Sequence, residues 1–255
     1  VNKIPNIINL FTGGVDVSEA IDGDSRIIGG QNASPGMAKY QVSIRAHSGK
    51  KEWHTCGGSI INQQYVLTAA HCIVKKRTNE LSIVVGSHQI KTGGQRYKIK
   101  KLVPHEQFSK ATWKNDVGVV QVEGNIKFND NVQPIELFKQ DIYVGTKCLL
   151  TGWGKVDLVS NFVLFFQQAT IISPGIVSEN VKKYGTQTPF GAFNAQLRHK
   201  GVCHGDGGGP LVLERGNKYI QIGVVSWGVS CAEDFPDVFA SVPGNYNWIQ
   251  SKISD

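Results

Sequence analysis

The 255 residues (27.9 kDa) are 40% hydrophobic and 18% charged, with 29 Gly and 9 Pro, which fits one large domain or two small ones with a substantial core. A mean hydropathy of -0.18 and no apolar run approaching ~18 residues argue against a transmembrane helix, and dispersed Gly and aromatics without heptads exclude collagen, low-complexity disorder and coiled coil. Twenty-seven Lys and Arg against 20 Asp and Glu give a net charge of +7 and a pI near 9.1, favouring anionic partners or surfaces without naming one.

Residues 1–26 differ in character from the rest of the chain. They hold no Cys, carry Gly13-Gly14 and end in the run Asp22-Gly23-Asp24-Ser25 before Arg26. The segment reads as a propeptide, the alternative being an ordinary frayed terminus. Its two basic and four acidic residues mean that its loss would raise the net charge from +7 to +9. Val1 has no basic flank or long apolar core after it, so any secretory leader is read as already removed.

From Ile27 onward, short β-prone segments alternate with Gly, Asn, Pro and Asp clusters. The predicted strands are Tyr40–Ile44, Gly58–Ile61, Tyr65–Ala69, Leu81–Val85, Tyr97–Val103, Val117–Val122, Lys147–Trp153, Leu211–Leu213 and Tyr219–Trp227, an all-β pattern. Helix signals fall at about Ile176–Tyr184 and in the last ten residues, where Tyr246, Ile249 and Ile253 share one face. Five Cys, with no CxxC and no Cys/His cluster at zinc spacing, indicate disulfides in an oxidising compartment with one thiol left over, hence a secreted, extracellular protein.

Separate motifs then occur in one order: Arg26-Ile27-Ile28-Gly29-Gly30, Thr68-Ala69-Ala70-His71-Cys72, Asn115-Asp116-Val117, Gly205-Asp206-Gly207-Gly208-Gly209-Pro210 and Ser226-Trp227-Gly228. On these the chain from Ile27 to Asp255 resembles the chymotrypsin/trypsin-like serine proteases. Leu81-Ser82-Ile83, Gly93-Gly94 and His105-Glu106 look like the group 3 trypsin-like allergens of mites. The resemblance implies two antiparallel Greek-key β-barrels with a C-terminal α-helix, the halves running over about 27–133 and 134–255 with the cleft between them.

The chemistry of that family needs a hydroxyl nucleophile, an imidazole to take its proton and a carboxylate to hold the imidazole's tautomer. By resemblance His71 matches the base, Asp116 the carboxylate, and Ser226 the serine that supports the carboxylate. Where the family reads Gly-Asp-Ser-Gly-Gly-Pro, this chain has Gly207. No acyl-enzyme can form on glycine, and loss of such a nucleophile costs about a millionfold in kcat, or roughly 8 kcal/mol of transition-state stabilisation. The oxyanion hole implied by the resemblance, the N–H groups of Gly205 and Gly207, does not need the missing hydroxyl; a turn with no Cβ at its apex could instead relax.

Activation in the family pairs a new amine with the Asp before the nucleophile; here these would be Arg26, Ile27 and Asp206. The pocket base that carries Asp in trypsins falls on Gly201. Asp237 replaces a family glycine on the opposite wall, either to attract Lys or Arg or to plug the pocket lined by Ser226, Trp227 and Gly228, with His204 on its rim. The resemblance pairs Cys56 with Cys72 and Cys203 with Cys231. It leaves Cys148, whose family partner would sit at Leu213, as a free thiol. A fourth family disulfide, around Val177 and Gly191, is absent, so that Thr186–Lys200, with Phe190 and Phe193, would be a less tethered wall of the cleft.

Arg96, Lys98 and Lys100 alternate along a predicted strand, a candidate anion-binding exosite or simply a solvated face. No Asp or Glu lies between Leu81 and His105, so the calcium loop of trypsins lacks its ligands. No metal or cofactor is expected. Asn32-Ala33-Ser34 is a glycosylation pattern weakened by Pro35.

The expected function is a secreted, inactive protease homologue that acts by binding. The scabies mite inactivated serine protease paralogues would be its nearest kin, which implies a monomer that engages host proteins such as complement components, with no nucleic acid or membrane partner. Azurocidin-like proteins suggest instead a cationic, heparin-binding or antimicrobial role, an anionic glycan being the ligand. A third reading is an active protease whose nucleophile was replaced by design.

Overall fold

The computed structural model describes residues 31–154, 164–172, 192–196, 202–228 and 236–254. The short strand β1 (Gln31–Asn32) is followed by β2 (Gln41–Ser48), β3 (Lys51–Ile60), β4 (Tyr65–Thr68), the one-turn helix α1 (Ala70–Ile73), β5 (Leu81–Val85), β6 (Gln95–Tyr97), β7 (Ile99–Pro104) and β8 (Gly118–Val122). Beyond these come β9 (Glu136–Leu137), β10 (Lys147–Gly152), β11 (Phe165–Ile172), β12 (Ala192–Gln196), β13 (Pro210–Arg215), β14 (Lys218–Trp227), β15 (Asp237–Ser241) and the helix α2 (Val242–Ile253). This is the all-β, trypsin-like architecture expected of the sequence.

The first sheet is antiparallel with the order β6-β5-β2-β3-β4-β8-β7. Its strands are rich in Val, Ile and Leu. Ile44, Ile60, Leu67, Ile83 and Val119 are all fully buried in one core, the payoff of branched side chains on a pleated surface. The second sheet runs β1-β11-β10-β13-β14-β15-β12, and the pairing of β12 with β11 closes it into a ring; β9 adds to β14 in parallel. Leu150, Leu211, Ile222 and Phe239 fill its interior.

Helix α2 starts where the Ser241 hydroxyl accepts the Gly244 N–H at 3.1 Å, an N-cap that satisfies one orphan donor. Its buried face carries Ile249, with Tyr246 and Ile253 partly buried against the core of the first sheet, as their spacing predicts.

Four features depart from the sequence reading. The predicted strand Tyr97–Val103 is two strands, β6 and β7, with a register shift between Ile99 and Lys101. Strands β11, β12 and β15 form where none was predicted. Part of the segment expected as a loosely tethered cleft wall is strand β12, held between β11 and β15. Strand β1 pairs with β11 of the second sheet, so the first half of the chain contributes to the second barrel. The predicted helix at 176–184, Val177 and Gly191 lie outside the described residues.

Candidate active site

Strand β4 runs into α1, and that single turn presents His71 to β8, which follows directly on Asp116. The His71 backbone N–H donates to Asp116 Oδ1 at 2.8 Å and its Nδ1 lies 2.7 Å from Asp116 Oδ2. The Ser226 hydroxyl donates to the same Oδ2 at 2.6 Å. A carboxylate only accepts, so Nδ1 carries a proton, and in the neutral imidazole Nε2 presents a lone pair. Both side chains are buried, His71 at 3% and Asp116 at 0% exposure.

The lone pair has no hydroxyl to meet. Gly207 stands opposite, and a Cβ built on it would fall 2.6 Å from His71 Nε2 and 3.1 Å from Cε1. The imidazole therefore occupies room that any larger residue at 207 would need. Trp113 seals the other side: it is 8% exposed, holds a positive φ of 56° and meets the His71 ring edge-to-face at 5.4 Å. Phe108 supports it at 6.3 Å.

The turn carrying Gly207 is tied down on several sides. Gly57 of β3 donates to the Gly207 carbonyl at 2.8 Å, Gly208 donates to Val225 and Gly209 to Asp206. Gly57 and Gly209 come so close that a Cβ on Gly57 would stand 2.8 Å from Gly209 Cα, so only glycine permits this junction between the barrels. The Gly205 carbonyl accepts from His54 Nε2 at 2.8 Å, which holds that peptide in a fixed orientation. Neither Gly205 N–H nor Gly207 N–H donates to a backbone carbonyl of the described residues.

The profile of the trypsin family matches residues 27–249. The chain belongs to the trypsin family. It is 32% identical to trypsin theta of Drosophila melanogaster over 243 residues, covering 93% of this chain and 90% of that protein. It is 34% identical to chymotrypsin-2 of Vespa crabro over 230 residues, 88% of this chain and 98% of that one. It is also 32% identical to trypsin delta of Drosophila erecta over 230 residues, 89% of this chain and 88% of that protein.

The sequence reading does not single out His54, although it stands two residues before Cys56, in this trypsin-family member's His54-Thr55-Cys56-Gly57-Gly58 run. Its burial lowers its pKa from 6.5 to about 4, with Arg45 adding to the effect against the opposing bond from Gly205. It is thus neutral at pH 7: Nε2–H donates to Gly205, and Nδ1 accepts the Ser43 hydroxyl at 2.9 Å.

Asp206 is fully buried and accepts from Gly154 N–H at 2.7 Å and Cys203 N–H at 3.1 Å. Burial pushes its carboxyl up to about 7, the two backbone donors opposing. Arg26 and Ile27, the proposed activation partners, lie outside the described residues, as does Gly201. Asp237 is also buried; it accepts from Val202 N–H at 3.0 Å, and a Cβ on Gly228 would collide with its Oδ1. Its carboxyl thus lies between the Val202 N–H and Gly228. Burial above all, and then the neighbouring Asp206, drives it well above the usual carboxylate range. Trp227 is partly buried beside Ser226, and its indole N–H has no partner among the described residues. His204 is exposed.

Cys56 and Cys72 form a disulfide that staples β3 to α1. Cys203 is disulfide-bonded; Cys231 lies outside the described residues. Cys148 is free and buried, in a cluster flanked by Leu213, and burial pushes its thiol up to about 12. The ligand atoms of Cys56, His71 and Cys72 lie within 4.8 Å of one another, but sulfurs joined to each other cannot ligate a metal as thiolates.

Arg96, Lys98 and Lys100 are all exposed. They do not form one stripe of free cations: the strand is interrupted at Lys98 between β6 and β7, and Arg96 bonds Glu52 at 2.8 Å and the Ser82 hydroxyl at 2.5 Å. Glu52 also holds Arg45 at 2.8 Å. Despite the cost of its partial burial, the hydrogen bonds from Arg96 and then Arg45 keep its carboxyl below the usual range.

Proposed function

We propose that this chain is a secreted member of the trypsin family that has lost peptidase activity and acts by binding. The observation that carries the reading is Gly207 facing His71 Nε2 with too little room between them even for a Cβ. The curated relatives are named as trypsins and a chymotrypsin, so the loss would be a departure of this chain. Asp237, set across the pocket between Val202 and Gly228, supports a pocket that no longer receives a side chain in the family's manner.

The partner class follows from the resemblance to scabies mite inactivated paralogues: host-defence proteins, complement components among them. Lys98 and Lys100 leave room for an anionic glycan as well, weakened by the pairing of Arg96 with Glu52.

The test is turnover of a fluorogenic amide by processed, purified protein. No turnover is expected, and Gly207→Ser alone is expected to stay inactive because His71 must first move. Turnover by the unaltered chain that His71→Ala abolishes would overturn the reading. Strong activity in Gly207→Ser would favour instead an intact enzyme behind one substitution. Binding to purified complement components by surface plasmon resonance tests the partner class, and elution from heparin at low salt removes the anionic-glycan reading.

A further inference from the structure

A groove of about 480 Å³ lies between the β3–β4 turn, the segment after β8 and the end of α2, and it shares no lining residue with the triad. None of its described lining residues is charged, in a chain with 27 Lys and Arg and 20 Asp and Glu. A phosphorylated or sulfated ligand would find no counter-charge in this lining.

The backbone of the turn is already committed. The Tyr65 carbonyl accepts from Ile61 N–H at 3.0 Å, Gln63 and Gln64 carbonyls accept from Ile126 and Val122, and Asn62 Oδ1 accepts both Gln64 and Tyr65 N–H groups at 2.8 and 2.9 Å. An extended peptide would have no ladder of main-chain groups to add to. What remains is side-chain chemistry. Gln63, Gln64 and Asn125 are exposed and their amides make no hydrogen bond with another described residue. Each amide offers donors and an acceptor together, the complement of a hydroxyl pair on a sugar ring. Phe128, half-buried, and Pro134, exposed, supply apolar surface beside them for the C–H face of such a ring.

We infer that this groove binds a neutral oligosaccharide. The inference does not depend on whether the cleft catalyses. Calorimetric titration with mannohexaose and cellohexaose, alongside a heparin-derived hexasaccharide and an uncharged extended peptide, tests it. Saturable binding of a neutral hexasaccharide is expected, unchanged at high salt and unaffected by His71→Ala. The double substitution Gln63→Ala, Asn125→Ala should weaken it about tenfold, ~1.4 kcal/mol, with an unchanged thermal midpoint because both side chains are exposed. Gln63→Glu with Asn125→Asp, which preserves size, should weaken it similarly. No saturable binding of either neutral sugar, binding that survives both double substitutions, or a tighter binding of the peptide or the sulfated sugar that the double substitutions abolish would each overturn the inference.

Discussion

On one side of the cleft Asp116 accepts from the His71 backbone, the His71 ring and Ser226; on the other, the turn at 207 keeps its backbone bonds but offers no side chain. The difference separates groups tied to folding from groups tied only to reaction. A buried carboxylate with three donors cannot be removed without leaving those donors unpaired, whereas Gly207 contributes only backbone groups to its turn. The hydrogen bonds around Asp116 therefore serve the fold whether or not the cleft catalyses.

The sharpest way to break this comparison is Asp116→Ala. Three unpaired buried donors at roughly 1–3 kcal/mol each predict a loss of about 3–9 kcal/mol, read from the urea midpoint; a loss below about 1 kcal/mol would show that the retained wall is not structural. Replacing both Cys56 and Cys72 by Ser, which opens a link across 16 residues, is expected to cost about 3 kcal/mol, measured against the parent under the same denaturant.

His54 sharpens the comparison through pH. Its pKa falls from 6.5 to about 4 on folding, so between these values the unfolded chain takes up a proton that the folded chain refuses. Stability is then complete above pH 6.5 and declines toward pH 4, by about 3 kcal/mol in all. His54→Asn should remove that decline and expose the opposite trend of Asp206, raised from 3.8 to about 7, whose contribution fades as pH rises through that interval. An acid limb that persists unchanged in the variant would assign it to other groups. The smallest effect concerns Cys148: a thiol at about 12 is ionised to about one part in ten thousand at pH 8, so an aromatic disulfide reagent should label it only after denaturation.

Much of this was legible in the residues. Leu81–Val85 is a strand to the residue, because the three consecutive β-branched side chains Ile83, Val84 and Val85 favour a pleated, buried strand. The break at Lys98 was hidden because alternation of Arg96, Lys98 and Lys100 suggests an unbroken strand, and a bulge changes register without changing composition. Strand β12, AFNAQ, has weak strand propensity and exists because β11 and β15 supply its partners. At the site, motifs located His71, Asp116, Ser226 and Gly207, but a sequence carries no distances. The closure of His71 onto Gly207, the Trp113 seal and the engagement of Arg96 by Glu52 depend on side chains far apart in the chain.

The exchange of segments between the barrels bears on assembly. Strand β1 belongs to the second sheet though it precedes the first, and Val242 and Ile249 of α2 are buried in the first core though they close the chain. Severed between 133 and 134, each fragment would carry a piece completing the other and lack one of its own. Neither half is then a self-sufficient folding unit, and mixing the two should recover structure that each alone cannot reach.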